Sequence, residues 1–153
     1  MPFVDLAAQY QTVSEEINQS IARVLKSGWF ILGKELISFE QEFARFCNVK
    51  YAVGVGSGTE ALHLSLCALG ITHGDEVITV ANTAVPTVSA ISFAGARPSF
   101  VDIDRLTYTM DPQRLGDYLK KQKPSSKIKA IIPVHLYGYP ADMDAILSIA
   151  QKH

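Results

Sequence analysis

Apolar residues recur at two periods along this chain, and the switch from one to the other marks out its elements. Ile17, Ile21, Val24 and Leu25 fall at helical spacing behind Thr12-Val13-Ser14-Glu15, a capping box, so an amphipathic helix is predicted to open there and to end at Ser27-Gly28. After a loop from Trp29 to Gly33, Phe39, Phe43 and Phe46 define one side of a second helix. Val53-Gly54-Val55 reads as a short strand entering a glycine-rich turn, followed by a helix from Glu60 to Leu69 with Leu62, Leu66 and Leu69 on one stripe and Gly70 at its close. Further strands are predicted at 76–80, 100–103 and 130–134. Between and after them come helices from Pro86 to Phe93 with Gly95 beyond, from Asp111-Pro112 to about Lys121, and one opened by Asp142 that reaches Gln151-Lys152-His153 without a C-cap. Repeated strand–helix units predict an α/β fold whose mostly parallel sheet is covered by helices on both faces.

Length and charge narrow the picture. The 153 residues suggest one domain, 1–153 with no internal boundary, and 14 basic against 15 acidic side chains with no charge block argue against a nucleic-acid partner. No apolar run reaches membrane-spanning length and the amino terminus lacks the regions of a signal peptide, so the cytoplasm is expected. Cys47 and Cys67 have no metal-ligand spacing and sit among apolar neighbours, which predicts buried free thiols. His63, His73 and His135 form no ligand pair, and no metal site is expected. Asp102 and Asp104 read as turn and cap residues, and Lys120 to Lys127 as a solvated loop.

The chemistry concentrates in Val53-Gly54-Val55-Gly56-Ser57-Gly58-Thr59-Glu60-Ala61-Leu62. Glycines let backbone approach an anion closely, and the unpaired N–H groups of a helix's first turn, with its dipole, supply donors and field. Three phosphate turns compete for this run. No lysine follows the glycines, which removes the nucleotide-triphosphate P-loop. A dinucleotide fingerprint is weakened by threonine at Thr59, where its third glycine should stand. The Ser-Gly-Thr-x-Ala-Leu turn that holds the phosphate of pyridoxal phosphate fits Ser57 to Leu62 at every position. A plain glycine connection between strand and helix is the remaining reading.

Taken in order, these segments resemble the amino-terminal part of the DegT/DnrJ/EryC1/StrS family of pyridoxal-phosphate sugar aminotransferases. Ser27 to Gly33 resembles the family's early active-site loop, Phe39 to Ala44 its next helix, and Ser57 to Leu62 its phosphate turn. Ala81 to Ile91 resembles the cofactor-ring segment, Gly95 to Asp104 the Gly-Ala-x-Pro-x-Phe-Val-Asp-Ile-Asp stretch, and Pro133 to Gly138 completes the series. The resemblance implies the aspartate-aminotransferase (type I) fold, here an incomplete large domain, with pyridoxal 5′-phosphate as cofactor. It implies a homodimer that moves an amino group, from glutamate as the expected donor, to a nucleotide-linked keto-sugar.

Residue by residue, the resemblance implies that the N–H groups of Gly58 and Thr59, with the Thr59 hydroxyl, hold the phosphate, and that Ser57 shapes the turn. Ala84 stands where the family often stacks an aromatic ring on the pyridine, so only a small van der Waals contact is expected there, with Thr83 near the cofactor's edge. Trp29, Phe30 and His135 are expected on the sugar side, with a core or interface contact as the alternative for the two aromatics and a satisfied packing residue as the simpler reading of the histidine. The catalytic Schiff-base lysine and the carboxylate that pairs with the pyridinium are expected beyond His153, so this chain alone is expected to be inactive. A non-catalytic or partner-dependent fragment is the alternative, with a dinucleotide-binding oxidoreductase domain behind it.

Overall fold

In chain order the elements are α1 (Leu6–Ser27), α2 (Lys34–Phe46), α3 (Gly58–Ala68), β1 (Glu76–Val80), α4 (Val85–Phe93), β2 (Arg97–Val101), α5 (Pro112–Lys120), β3 (Ile128–Ile131) and α6 (Met143–Ala150). The computed structural model describes residues 3–123 and 126–153, so Pro124 and Ser125 of the expected basic loop lie outside the described residues. The chain gathers into two compact units, Met1–Gly54 and Val55–His153.

The second unit carries the sheet. Its order is β2-β1-β3 and both pairings are parallel. All five residues of the central β1 are buried, as a strand covered on both faces requires. Side chains alternate across it. Ile78 and Val80 enter one core with Val101, Met110, Leu115 and Ile146, whereas Val77 enters the other with Leu66, Ile71, Ala90 and Ile91. One face is therefore lined by α5 and α6 and the opposite face by α3 and α4, which bears out the α/β fold with a parallel sheet.

Boundaries differ from the sequence reading for identifiable reasons. β2 and β3 begin earlier than expected, at Arg97 and Ile128. Pro98 lies inside β2, which an edge strand tolerates because one side of its backbone needs no partner, and Pro133 stands just past β3. The segment Val53-Gly54-Val55 is not a strand; no other strand pairs with it among the described residues. Stripe position Leu69 is the C-cap of α3 and 72% exposed, leaving Leu66 as the buried member and Leu62 packed at the core's margin. Gly70 at φ +73° closes the helix as expected.

In the first unit α1 starts six residues before Thr12. Its N-cap is Asp5, whose carboxylate accepts the Ala8 N–H at 2.9 Å, while the Thr12 and Ser14 hydroxyls donate back to the carbonyls of Gln9 and Gln11. The capping-box pattern therefore lies inside the helix. Gly28, at φ +68°, ends it as expected. Phe39, Phe43 and Phe46 do share one side of α2, with ring centroids 5.5 Å and 6.3 Å apart in succession. Both cysteines are free but exposed, so the expectation of burial is corrected: Cys47 caps α2 and Cys67 lies on the outer side of α3.

Candidate functional site

The first turn of α3 keeps backbone donors open. Ser57, its N-cap, accepts the Glu60 N–H on Oγ at 3.1 Å, and the Ser57 carbonyl accepts the Ala61 N–H at 3.0 Å. The Glu60 carboxylate turns back to accept the Gly56 N–H at 2.7 Å. Three donors are left over. The N–H groups of Ser57, Gly58 and Thr59 have no hydrogen-bond partner among the described residues, and a Cβ built on Gly58 would meet nothing within 4 Å. Open donors at a helix N-terminus facing open space form a place for an anion, and they fit a phosphate group.

Sheet topology marks a second feature of the same unit. From β1 the chain crosses to β2 on one side through α4, then to β3 on the other side of β1 through α5. The order reverses between β1 and β3. In open parallel sheets the crevice at the carboxyl ends of two such strands is where ligands bind, because the connections leave to opposite faces. Thr83 and Ala84 follow the carboxyl end of β1 and His135 follows that of β3, so topology brings these three to one edge of the sheet. Ala84 is the N-cap of α4, with Val85 and Pro86 opening the helix, and offers no side-chain cap. Thr83 and Thr87 share a hydrogen bond between their hydroxyls at 2.8 Å. His135 accepts the Ala141 N–H on Nδ1 at 3.0 Å, which assigns the neutral ring's proton to Nε2 and leaves that nitrogen a donor.

Trp29 and Phe30 belong to the first unit, in the loop between α1 and α2, and are 63% and 66% exposed. The Trp29 indole donates to the Ile31 carbonyl at 2.6 Å, and Leu32 takes φ +52°, a conformation unusual for leucine.

Asp102 and Asp104 act as turn residues. Asp104 Oδ1 accepts the N–H groups of Leu106 and Thr107, both at 2.9 Å, and these bonds hold its carboxyl below the usual carboxylate range. At the opposite end of β1, Glu76 is buried and accepts from Ser99 Oγ and Tyr118 OH, each at 2.6 Å, and from the Arg97 guanidinium. Burial raises its acidity constant's pKa, but the bonds from Ser99, Tyr118 and Arg97 and the arginine's charge outweigh burial and leave it lowered. This cluster ties β1, β2 and α5 together at the amino ends of the strands, away from the carboxyl-end crevice.

Sequence reasoning missed two contributors. Glu60 was read as a filler position of the phosphate turn, although Ser57-x-x-Glu60 has capping-box spacing. Asn82 ties the loop after β1 to the loop after β2 by donating from Nδ2 to the Tyr108 carbonyl at 3.1 Å, and no local pattern signals so distant a partner.

A doubly wound parallel sheet with a reversal point, carrying a helix whose first turn keeps open donors, defines the class: an α/β domain suited to a phosphate-bearing ligand. The particular family follows from comparison with known proteins. The DegT/DnrJ/EryC1/StrS aminotransferase family matches residues 11–153, and this chain belongs to it. Among curated relatives, the erythromycin biosynthesis sensory transduction protein EryC1 of Saccharopolyspora erythraea is 45% identical over 153 residues, covering 100% of this chain and 40% of the relative. The dTDP-3-amino-3,4,6-trideoxy-alpha-D-glucose transaminase of Streptomyces venezuelae is 44% identical over 153 residues, covering 100% and 39%. The crystal structure of NtdA from Bacillus subtilis with bound cofactor PMP matches with a TM-score of 0.90 and 34% identity, covering 99% of this chain and 34% of that one. The chain spans about 40% of the length of the curated relatives it matches. Among the described residues, no helix is long and apolar enough to cross a membrane.

Proposed function

We propose that this chain is part of a pyridoxal-phosphate-dependent aminotransferase that moves an amino group, with glutamate as donor, onto a nucleotide-linked keto-sugar, acting in the cytoplasm as a homodimer. Residues 1–153 form, in this reading, the amino-terminal part of the cofactor-binding large domain, the two compact units being parts of that one domain. Family membership supports the reaction class, and the transaminase relative's dTDP-sugar supports the substrate class. The cofactor bound in the NtdA structure, PMP, supports pyridoxal phosphate. The observation that carries the proposal is the pair of open N–H donors at Gly58 and Thr59 beside the free space over Gly58.

When bound, the cofactor would supply an electron sink for removal of the donor's proton and would carry the amino group from donor to acceptor. The residues of this chain bind and orient. Gly58 and Thr59 donate their N–H groups to the phosphate, the Thr59 hydroxyl adds a third donor, and Ser57 keeps its own oxygen on the helix to hold the turn. Thr83 and Ala84 border the cofactor ring, where alanine contributes a small contact in place of a stacked aromatic. Trp29 and Phe30 each offer a ring face suited to the apolar C–H face of a sugar, and His135 offers its Nε2–H to a hydroxyl. The lysine that carries the cofactor and the carboxylate partner of its ring nitrogen are assigned to the part of the relatives that this chain does not span.

Gly58→Val tests the phosphate role. The valine Cβ meets no protein atom within 4 Å, yet its branched side chain fills space an anion needs, so affinity for pyridoxal 5′-phosphate should fall about tenfold or more, the worth of one lost charge-assisted bond. Cys67→Ser, on the exposed side of the same helix, should leave affinity unchanged and stability within about 0.5 kcal/mol of wild type. Equal affinity in Gly58→Val and wild type would remove the assignment.

A further inference from the structure

Glu60 is the third residue of α3, and its carboxylate closes on the Gly56 N–H at 2.7 Å while its own N–H is held by Ser57 Oγ. This reciprocal pair is a capping box displaced by one residue, since the side chain reaches past the N-cap to the residue before it. The closure depends on glycine. A Cβ on Gly56 would stand 2.6 Å from Glu60 Oε2 and push the carboxylate away. With Gly56, Glu60 and Ala61 all engaged, the N–H groups of Ser57, Gly58 and Thr59 remain for a ligand.

We infer that Glu60 is a positioning residue of the anion turn: by occupying the Gly56 N–H it holds the turn in its binding shape before the phosphate arrives. The inference rests on the phosphate role proposed above. Two effects of Glu60 on a dianion oppose each other. Its hydrogen bond pre-organises the turn and lowers the ordering cost of binding, whereas its negative charge repels the phosphate. Glutamine separates them, because it keeps an acceptor oxygen for Gly56 and carries no charge. Alanine loses both. The difference between Glu60→Gln and Glu60→Ala therefore reads the hydrogen bond alone.

The experiment measures, in the full chain, affinity for pyridoxine 5′-phosphate and for pyridoxine, which lack the aldehyde that would attach to surface lysines, together with hydrogen exchange at the Gly56 amide. Glu60→Gln should bind the phosphate ester at least as tightly as wild type and keep Gly56 protected. Glu60→Ala should bind about tenfold more weakly than Glu60→Gln, as for loss of a capping bond, and should expose Gly56 to exchange. Gly56→Ala displaces the flexible end of one side chain, so it provides a second variant: it should weaken binding like Glu60→Ala and add little in the Glu60→Ala background. Equal affinity in the glutamine and alanine variants, or unchanged exchange at Gly56, would overturn the inference while leaving the phosphate role intact. Wild-type protein that does not distinguish pyridoxine 5′-phosphate from pyridoxine would overturn both.

Discussion

Glu76 shows how one residue can carry a load that its sequence position conceals. A glutamate opening a strand reads as a solvated end, yet here it is buried with Ser99, Tyr118 and Arg97 all donating to it. Because its pKa is lowered in the folded state, its stabilising contribution is present above the ordinary glutamate value and is lost as pH falls through the folded one. Glu76→Gln should therefore cost about 1–2 kcal/mol at neutral pH, discounted because Arg97 is largely exposed, and the gap to wild type should narrow as pH falls below the ordinary glutamate value, as urea unfolding at several pH values would show. The turn that opens a helix at Ser57, Gly58 and Thr59, by contrast, was legible, since glycine spacing and hydroxyl placement are local signals. The cysteines were not. Apolar neighbours in sequence do not say which side of a helix faces out, and both thiols are exposed.

At the scale of elements, the aspartate caps of α5 and α6 were legible in the sequence. Asp111-Pro112 opens α5 with Asp111 Oδ1 accepting the Gln113 N–H at 2.8 Å, and Asp142 opens α6 by accepting the Ala145 N–H at 3.1 Å. Asp111→Ala should lower the free energy of unfolding by about 1 kcal/mol, measurable by denaturant titration, with no effect on phosphate affinity. Patterns failed where two rules met. Thr12-x-x-Glu15 satisfies a capping box, but helix-favouring residues upstream and a cap at Asp5 extend α1 over it. β2 begins at Arg97, three residues before the expected Phe100, because Pro98, disfavoured in a central strand, is admitted at an edge. Val53 to Val55 has strand composition without a strand to pair with, and composition cannot supply one.

For the whole molecule, the alternation of strand and helix was enough to read a parallel sheet with helices on both faces, because only that arrangement buries strands as apolar as β1. The order β2-β1-β3, and with it the crevice near Thr83, Ala84 and His135, was beyond reach, since pairing depends on contacts distant in sequence. β3 has one strand neighbour among the described residues, and α1 carries Tyr10, Val13, Ile17, Ile21 and Leu25 exposed without a single buried residue. An open strand edge and an apolar helical stripe both invite association, so the purified 153-residue chain should self-associate with rising concentration in sedimentation velocity. A monomer at all concentrations would contradict that. The same chain should show no transaminase turnover and no single borohydride-fixed lysine adduct by mass spectrometry, because the cofactor-carrying lysine is assigned, in the proposed reading, to the part of the relatives that this chain does not span.

The central claim is that the first turn of α3 is a phosphate site made from the N–H groups of Gly58 and Thr59. Amide NMR of the isotopically labelled chain, titrated with pyridoxine 5′-phosphate and separately with pyridoxine, tests it most directly. The account predicts saturable shifts at the Gly58 and Thr59 amides with the phosphate ester, weaker in Gly58→Val and absent with pyridoxine. Shifts of the same size with both ligands, or none at these two amides while others respond, would contradict it.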